Sequence, residues 1–247
     1  MHETQSSIIA HLLQVAAERK RRENQPQLHA AVLAVKRYQQ LRFTRTYADL
    51  LGSRRYGAAA RFFLDELYGP SDFSQRDAQF MRVAPAIVRL FPAELVHAVD
   101  MLAQLHAVSE ALDSEMGLRL LGRDIDAWSY MRAWQSTGHP SRRELQIALT
   151  TEIGATLDRY TRKPLLRQTL RIMRGPARSA GLGELQRFLE TGFDAFKAMN
   201  GAGEFLRLIG SRERELAASL FNAPTATEPV ALQEPDGATA FALEQLP

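Results

Sequence analysis

The chain has 247 residues, 45% of them hydrophobic and 24% charged, and a formal net charge of +3. This is the composition of a globular protein long enough to bury a sizeable core. It contains no cysteine, which excludes disulfides, thiol nucleophiles and cysteine-ligated metals together.

The chain reads with a 3.6-residue period almost throughout and shows no convincing alternating strand. A first helix is expected from about Gln5 to Asn24, with Ile9, Leu12, Leu13 and Ala16 on one face and Pro26 ending it. Its basic cluster, Arg19 to Arg22, follows the apolar patch, the reverse of a secretory signal. A second helix, near 27–51, carries Leu28, Ala31, Val35, Tyr38, Leu41, Arg45 and Ala48 along one stripe. A third spans about 54–68. The fourth starts after Ser74, which would cap it, and is interrupted by Pro85. A fifth opens at Pro92 and carries Leu95, Val99, Leu102, His106 and Leu112. A shorter helix holds Trp128 and Trp134. Ser141 and Glu144 then read as a capping box for a helix reaching about Thr161. Pro164 opens a helix expected to stop near Gly175-Pro176. The cleanest amphipathic stripe follows (Leu185, Phe188, Leu189, Phe193, Phe196), ended by Asn200-Gly201. A last segment reaches Phe221.

About nine helices with short loops predict an all-α, single compact bundle-like domain over 1–221. Residues 222–247, rich in Pro, Ala and Thr, are expected to form a flexible tail in which only Phe241-Ala-Leu243 would dock. Glu228, Glu234, Asp236 and Glu244 give that tail −4, so a net +3 leaves +7 on residues 1–221. Apolar runs of about 18 residues are absent, so no membrane span is expected and a cytoplasmic location is the default.

Three places invite chemistry. Glu94 and His97 form a Glu-x-x-His pair, the repeat that helical di-iron sites use twice. One copy supplies too few ligands, so the pair is a weak metal candidate and no cofactor is expected. His106, four residues before Glu110, falls on the apolar side and reads as a buried histidine held by one hydrogen bond. Between Asp158 and Glu184 there is no acidic residue, while Arg162, Lys163, Arg167, Arg171, Arg174 and Arg178 all fall there. In a helix most of these align as one cationic edge, opposite Leu166, Leu170, Met173 and Ala177. Such an edge suits nucleic acid or anionic lipid. Acidic neighbours on other helices would neutralise it just as well.

The most individual stretch is Ala60-Arg-Phe-Phe-Leu-Asp-Glu-Leu-Tyr-Gly-Pro-Ser-Asp-Phe-Ser-Gln-Arg-Asp77. Packing, a Gly-Pro stop and capping account for most of it. Asp65, Tyr68, Asp72 and Arg76 exceed those duties. With Arg45-Thr-Tyr47-Ala-Asp49 and Arg55-Tyr56 before it, the stretch resembles the "FFL-x-x-LYGP-x-DF-x-x-RD" block of a family of uncharacterised bacterial all-helical proteins, a domain of unknown function. The resemblance is best over 37–92 and implies a bacterial, cytoplasmic, all-α protein with no assigned activity. A family-type site would involve Tyr47, Arg55, Tyr56, Asp65, Tyr68, Asp72 and Arg76, with Arg55–Asp65 or Arg76–Asp72 as pairs.

The expected function is therefore non-catalytic binding of a protein partner, a second copy or a small ligand. Polyanion binding through 159–178 is the alternative, and a metal-dependent helical enzyme using Glu94 and His97 the second.

Overall fold

A computed structural model describes residues 2–66, 69–71, 73–224 and 237–247. Among these the chain is all-α, in twelve helices: α1 His2–Glu23, α2 Pro26–Thr46, α3 Ala48–Gly52, α4 Gly57–Glu66, α5 Ser74–Leu90, α6 Ala93–Arg119, α7 Ala127–Thr137, α8 Pro140–Thr161, α9 Pro164–Ser179, α10 Gly183–Ala198, α11 Gly203–Asn222 and α12 Gly237–Gln245. None is long and apolar enough to cross a membrane.

The count exceeds the expected nine partly because the second helix breaks. Tyr47 leaves helical geometry (φ −116°, ψ 25°) and turns the chain into the short α3. The stripe along α2 also shifts register after Tyr38. Arg42 and Phe43 are buried, whereas Leu41 is 59% exposed. Arg42 follows Val35 by seven residues, two helical turns, so it continues the true stripe.

Several helix boundaries are set otherwise than expected. α5 has Phe73, not Ser74, as its N-cap, and it runs on through Pro85 to Leu90. α8 has no Ser141 capping box: His139, in the left-handed region at φ 61°, is its N-cap, and Pro140 is its first residue. Glu144 instead meets Arg214 of α11 at 2.8 Å. The capping box that does form belongs to α7, where Asp126 accepts from the Ser129 amide at 2.7 Å and the Ser129 hydroxyl accepts from the Asp126 amide at 2.9 Å. α9 runs through Gly175-Pro176 to Ser179. α10 ends as expected, with Asn200 at φ 50° and Gly201 at φ 114° beyond it.

α6, of 27 residues and about 40 Å at 1.5 Å per residue, is the central post. α1, α2, α7 and α8 pack directly on it, and α5 touches it while packing more fully on α1. Close approach of α2 needs Gly117: a Cβ there would lie 2.6 Å from Cγ2 of Val32. Three apolar clusters surround this post. One gathers Phe43, Tyr47, Phe62, Phe63, Phe196 and Phe205. The second gathers Val35, Tyr38, Met116, Tyr130 and Leu216, and the third Ile8, Leu12, Phe80, Val96 and Leu185. Within the 222–247 segment, α12 rests on α11 and α2. Its buried residues are Ala242 and Leu246, while Phe241 and Leu243 are only partly covered.

Candidate functional site

The three clusters leave a cavity of about 130 Å³ where they meet. Leu12, Phe80, Tyr130, Phe188 and Ile209 bring one or more side chains from each cluster to its wall. The rest of the wall is unusually polar for an interior: α2 supplies Lys36, Gln39 and Arg42, α6 supplies His106, Ser109 and Asp113, and α8 supplies Arg143, Gln146 and Thr150. A second cavity, also about 130 Å³, adjoins it and shares Phe80, Val99, Leu102, Leu105, Thr150 and Phe188. Its remaining lining is nearly all carbon, including Phe62, Phe63, Phe193 and Phe196.

Most buried charges around the polar cavity are matched. Arg42, buried, forms a two-armed pair with Glu213 of α11, which also accepts from the Tyr47 hydroxyl at 2.7 Å. Burial works against the Arg42 charge, and Glu213 reverses that and raises its pKa. Glu110, behind the wall, receives Arg22 of α1 and, at 2.5 Å, Lys36 of α2. Burial would raise its carboxyl, but Lys36 and Arg22 outweigh burial and hold it at about 2. Asp77 receives Arg19 at 2.7 Å and His106 at 2.8 Å; against the opposing effect of burial, His106 and Arg19 keep its pKa low. Arg76 lies between the rings of Phe73 and Phe188 (4.0 and 4.7 Å) and donates to the Glu66 carbonyl at 3.1 Å.

Arg143 is the exception. It is 5% exposed and has no carboxylate within ion-pair distance among the described residues. Its guanidinium lies 3.8 Å from the Trp134 ring, and its two terminal nitrogens donate to Gln146 Oε1 at 3.1 Å and to the poor acceptor Sδ of Met116 at 3.2 Å. Burial pushes its pKa down. Nearby Asp113 is raised by its own burial, although Gln39 donates to it at 3.1 Å.

Of the residues singled out from sequence, Arg76 and His106 line the cavity and Tyr47 reaches it through Glu213. Arg55 and Tyr56 serve another corner: Arg55 donates to the carbonyls of Met199 and Gly201 at 2.9 and 3.2 Å, and Tyr56 to Glu204. The expected Arg55–Asp65 pair is thus replaced by Arg55–Glu204 at 3.4 Å, and Asp65 is exposed. Tyr68 and Asp72 lie outside the described residues, and Arg76 pairs instead with Glu66 and Asp77, each at 3.7 Å. Along the basic segment, Arg162 pairs with Asp158, Arg167 with Asp194 and Arg174 with Glu190. Lys163 lies over the Tyr160 ring at 4.3 Å. Arg171 and Arg178 are exposed and meet no carboxylate among the described residues. Glu94 and His97 are both exposed. Glu94 accepts from the Tyr160 hydroxyl at 3.4 Å, and no cluster of three metal-ligating side chains occurs among the described residues.

A family model described as a domain of unknown function, DUF8198, matches residues 18–227. The chain belongs to this family. The match takes in every wall residue of the polar cavity except Leu12, and most of the surrounding helices. Comparison with curated proteins and with solved structures returns no match.

Sequence reading missed Arg42, Arg143 and Glu213. The signal was present in part: Arg42 and Arg143 stand in register with apolar or small residues on their own helices, Val35 before one and Ile147, Thr150 and Gly154 after the other.

Proposed function

We propose that this protein is a non-catalytic receptor that encloses a small ligand in the paired cavities at the centre of the helical domain. The observation that carries this reading is the juxtaposition of a polar and an apolar compartment sharing six wall residues. Ligand sites have this character, a mostly apolar concavity with a few converging polar groups. Close packing elsewhere would fill such space with side chains. Gly192 helps to keep it open, because a Cβ there would lie 2.8 Å from Cζ of Phe62, a wall residue of the apolar compartment.

The test uses the uncharged fluorophore N-phenyl-1-naphthylamine, whose emission rises in apolar surroundings. It should bind wild type with about one site per chain. Thr150→Phe fills the shared wall and Ala98→Phe the apolar compartment, so either should abolish the enhancement while cooperative melting persists. Enhancement that survives both substitutions in folded protein would rule the reading out.

Polyanion binding by the basic segment ranks second, because among the described residues Arg162, Arg167 and Arg174 are already held by carboxylates, which leaves Arg159, Lys163, Arg171 and Arg178 exposed without one. It predicts salt-sensitive DNA or vesicle binding that Arg171→Glu with Arg178→Glu removes.

A further inference from the structure

We propose that the enclosed ligand is an amphipathic carboxylate, its head taken by Arg143 and Trp134 and its apolar body lying along α8 in the aromatic compartment. This rests on the cavity reading above and adds the chemistry of the ligand.

Three residues of the polar wall hold a buried side-chain nitrogen without a hydrogen-bond partner: Arg42 at Nε, Trp134 at Nε1 and Arg143 at Nε. All are N–H donors, and no buried oxygen of a wall residue is left without one among the described residues. The wall therefore asks for an acceptor. A buried donor left unpaired costs about 1–3 kcal/mol, and more when charged, so an arriving acceptor gains what the empty wall forgoes.

Charge narrows the choice. Arg42 is already matched by Glu213, Arg76 by Glu66 and Asp77, and Lys36 by Glu110. The open positive charge is at Arg143, which has its Nε free and Trp134 Nε1 as the neighbouring donor. One cation without an ion-pair partner, felt only at longer range by Asp113 and Glu115, and with two single donors suits a monoanion with two oxygens. A phosphate dianion would face Asp113, Glu213, Asp77 and Glu66 in the same wall with too few donors. An ammonium would meet only donors at Arg143.

α8 sets the ligand's reach. Arg143, Gln146, Ile147 and Thr150 line the polar compartment, and Thr150, Gly154 and Leu157 line the apolar one. These positions form one stripe on the helix, and from Arg143 to Gly154 it runs about 16 Å at 1.5 Å per residue. An apolar compartment of about 130 Å³ is on the scale of the cavity of about 150 Å³ that holds benzene. A medium-chain or single-ring carboxylate fits both measures.

Displacement of N-phenyl-1-naphthylamine by decanoate, decanol, decylammonium and decyl phosphate tests this. Decanoate should compete roughly tenfold to hundredfold better than decanol, and better than the other two. Arg143→Met should erase the preference, because decanoate loses a charge-assisted bond where decanol loses at most a neutral one. Trp134→Phe, which keeps an aromatic platform, should weaken decanoate more than decanol, so the test survives if the first variant folds poorly. Equal competition by decanoate and decanol, or stronger competition by decyl phosphate or decylammonium, would overturn the carboxylate assignment and leave the cavity reading standing. Failure of the probe to bind wild type would overturn both.

Discussion

Arg143 and Glu110 are two buried charged groups with opposite consequences for stability. Arg143 makes no ion pair among the described residues, and only the longer-range attraction of Asp113 and Glu115 offsets its burial, so Arg143→Met should stabilise the ligand-free protein by about 1–4 kcal/mol, the range seen when buried ion pairs give way to packed apolar side chains. Urea unfolding checks this; a clear loss of stability would make Arg143 a structural residue. Glu110 works in the other direction. Its folded-state carboxyl sits at about 2 against an ordinary 4.5. Its stabilising contribution is thus complete above about pH 4.5 and is lost as pH falls toward 2, and over that window it amounts to about 3 kcal/mol. Glu110→Gln should flatten the acid limb of a urea-midpoint-versus-pH series. At neutral pH it should cost about 3–5 kcal/mol, because Arg22 and Lys36 lose their counter-charge. The pair Arg19 and Arg22 also shows what sequence order alone hides. A basic cluster at a helix end reads as a solvated patch, yet Arg22 is 5% exposed and Arg19 reaches Asp77 from another helix.

At the scale of elements, the helices were legible because apolar residues recur with the helical period and Pro and Gly mark many of their ends. What escaped were places where a polar residue stands in the apolar stripe. On α2 the eye follows Leu41 and Arg45, but packing selects Arg42 and Phe43, since Glu213 of α11 compensates the guanidinium from a position 171 residues away. Pairing over that distance leaves no local trace. Element α12 makes a similar point. Ala242 and Leu246 are buried against the cluster that holds Tyr38 and Tyr130, and Arg45 donates to the Leu246 carbonyl at 2.7 Å. Removing residues 237–247 should therefore destabilise the protein by about 2–4 kcal/mol, from the lost apolar burial, seen as a lower melting temperature. An unchanged melting curve would mean that α12 contributes no packing.

For the whole molecule, the all-α class followed from periodicity; the block around residues 60–77 gave only a resemblance to a helical family of unknown function, and membership rests on the family match over 18–227. The location of the cavity did not follow. It is assembled from α1, α2, α4, α5, α6, α7, α8, α10 and α11, and a wall of that kind exists only once the helices have packed. The polar groups of the 60–77 block contribute Glu66, Arg76 and Asp77 to it, one edge of a site whose charge-bearing centre is elsewhere.

The placement of the two tryptophans has one more consequence. Trp134 lies against the Arg143 guanidinium in the cavity wall, whereas Trp128, on the same short helix, is 41% exposed. These are the only indoles in the chain, so the protein carries its own optical gauge. Replacing Trp128 by Phe leaves a single emitter inside the cavity. Its colour and its quenching by iodide or acrylamide then report occupancy directly, with no dye.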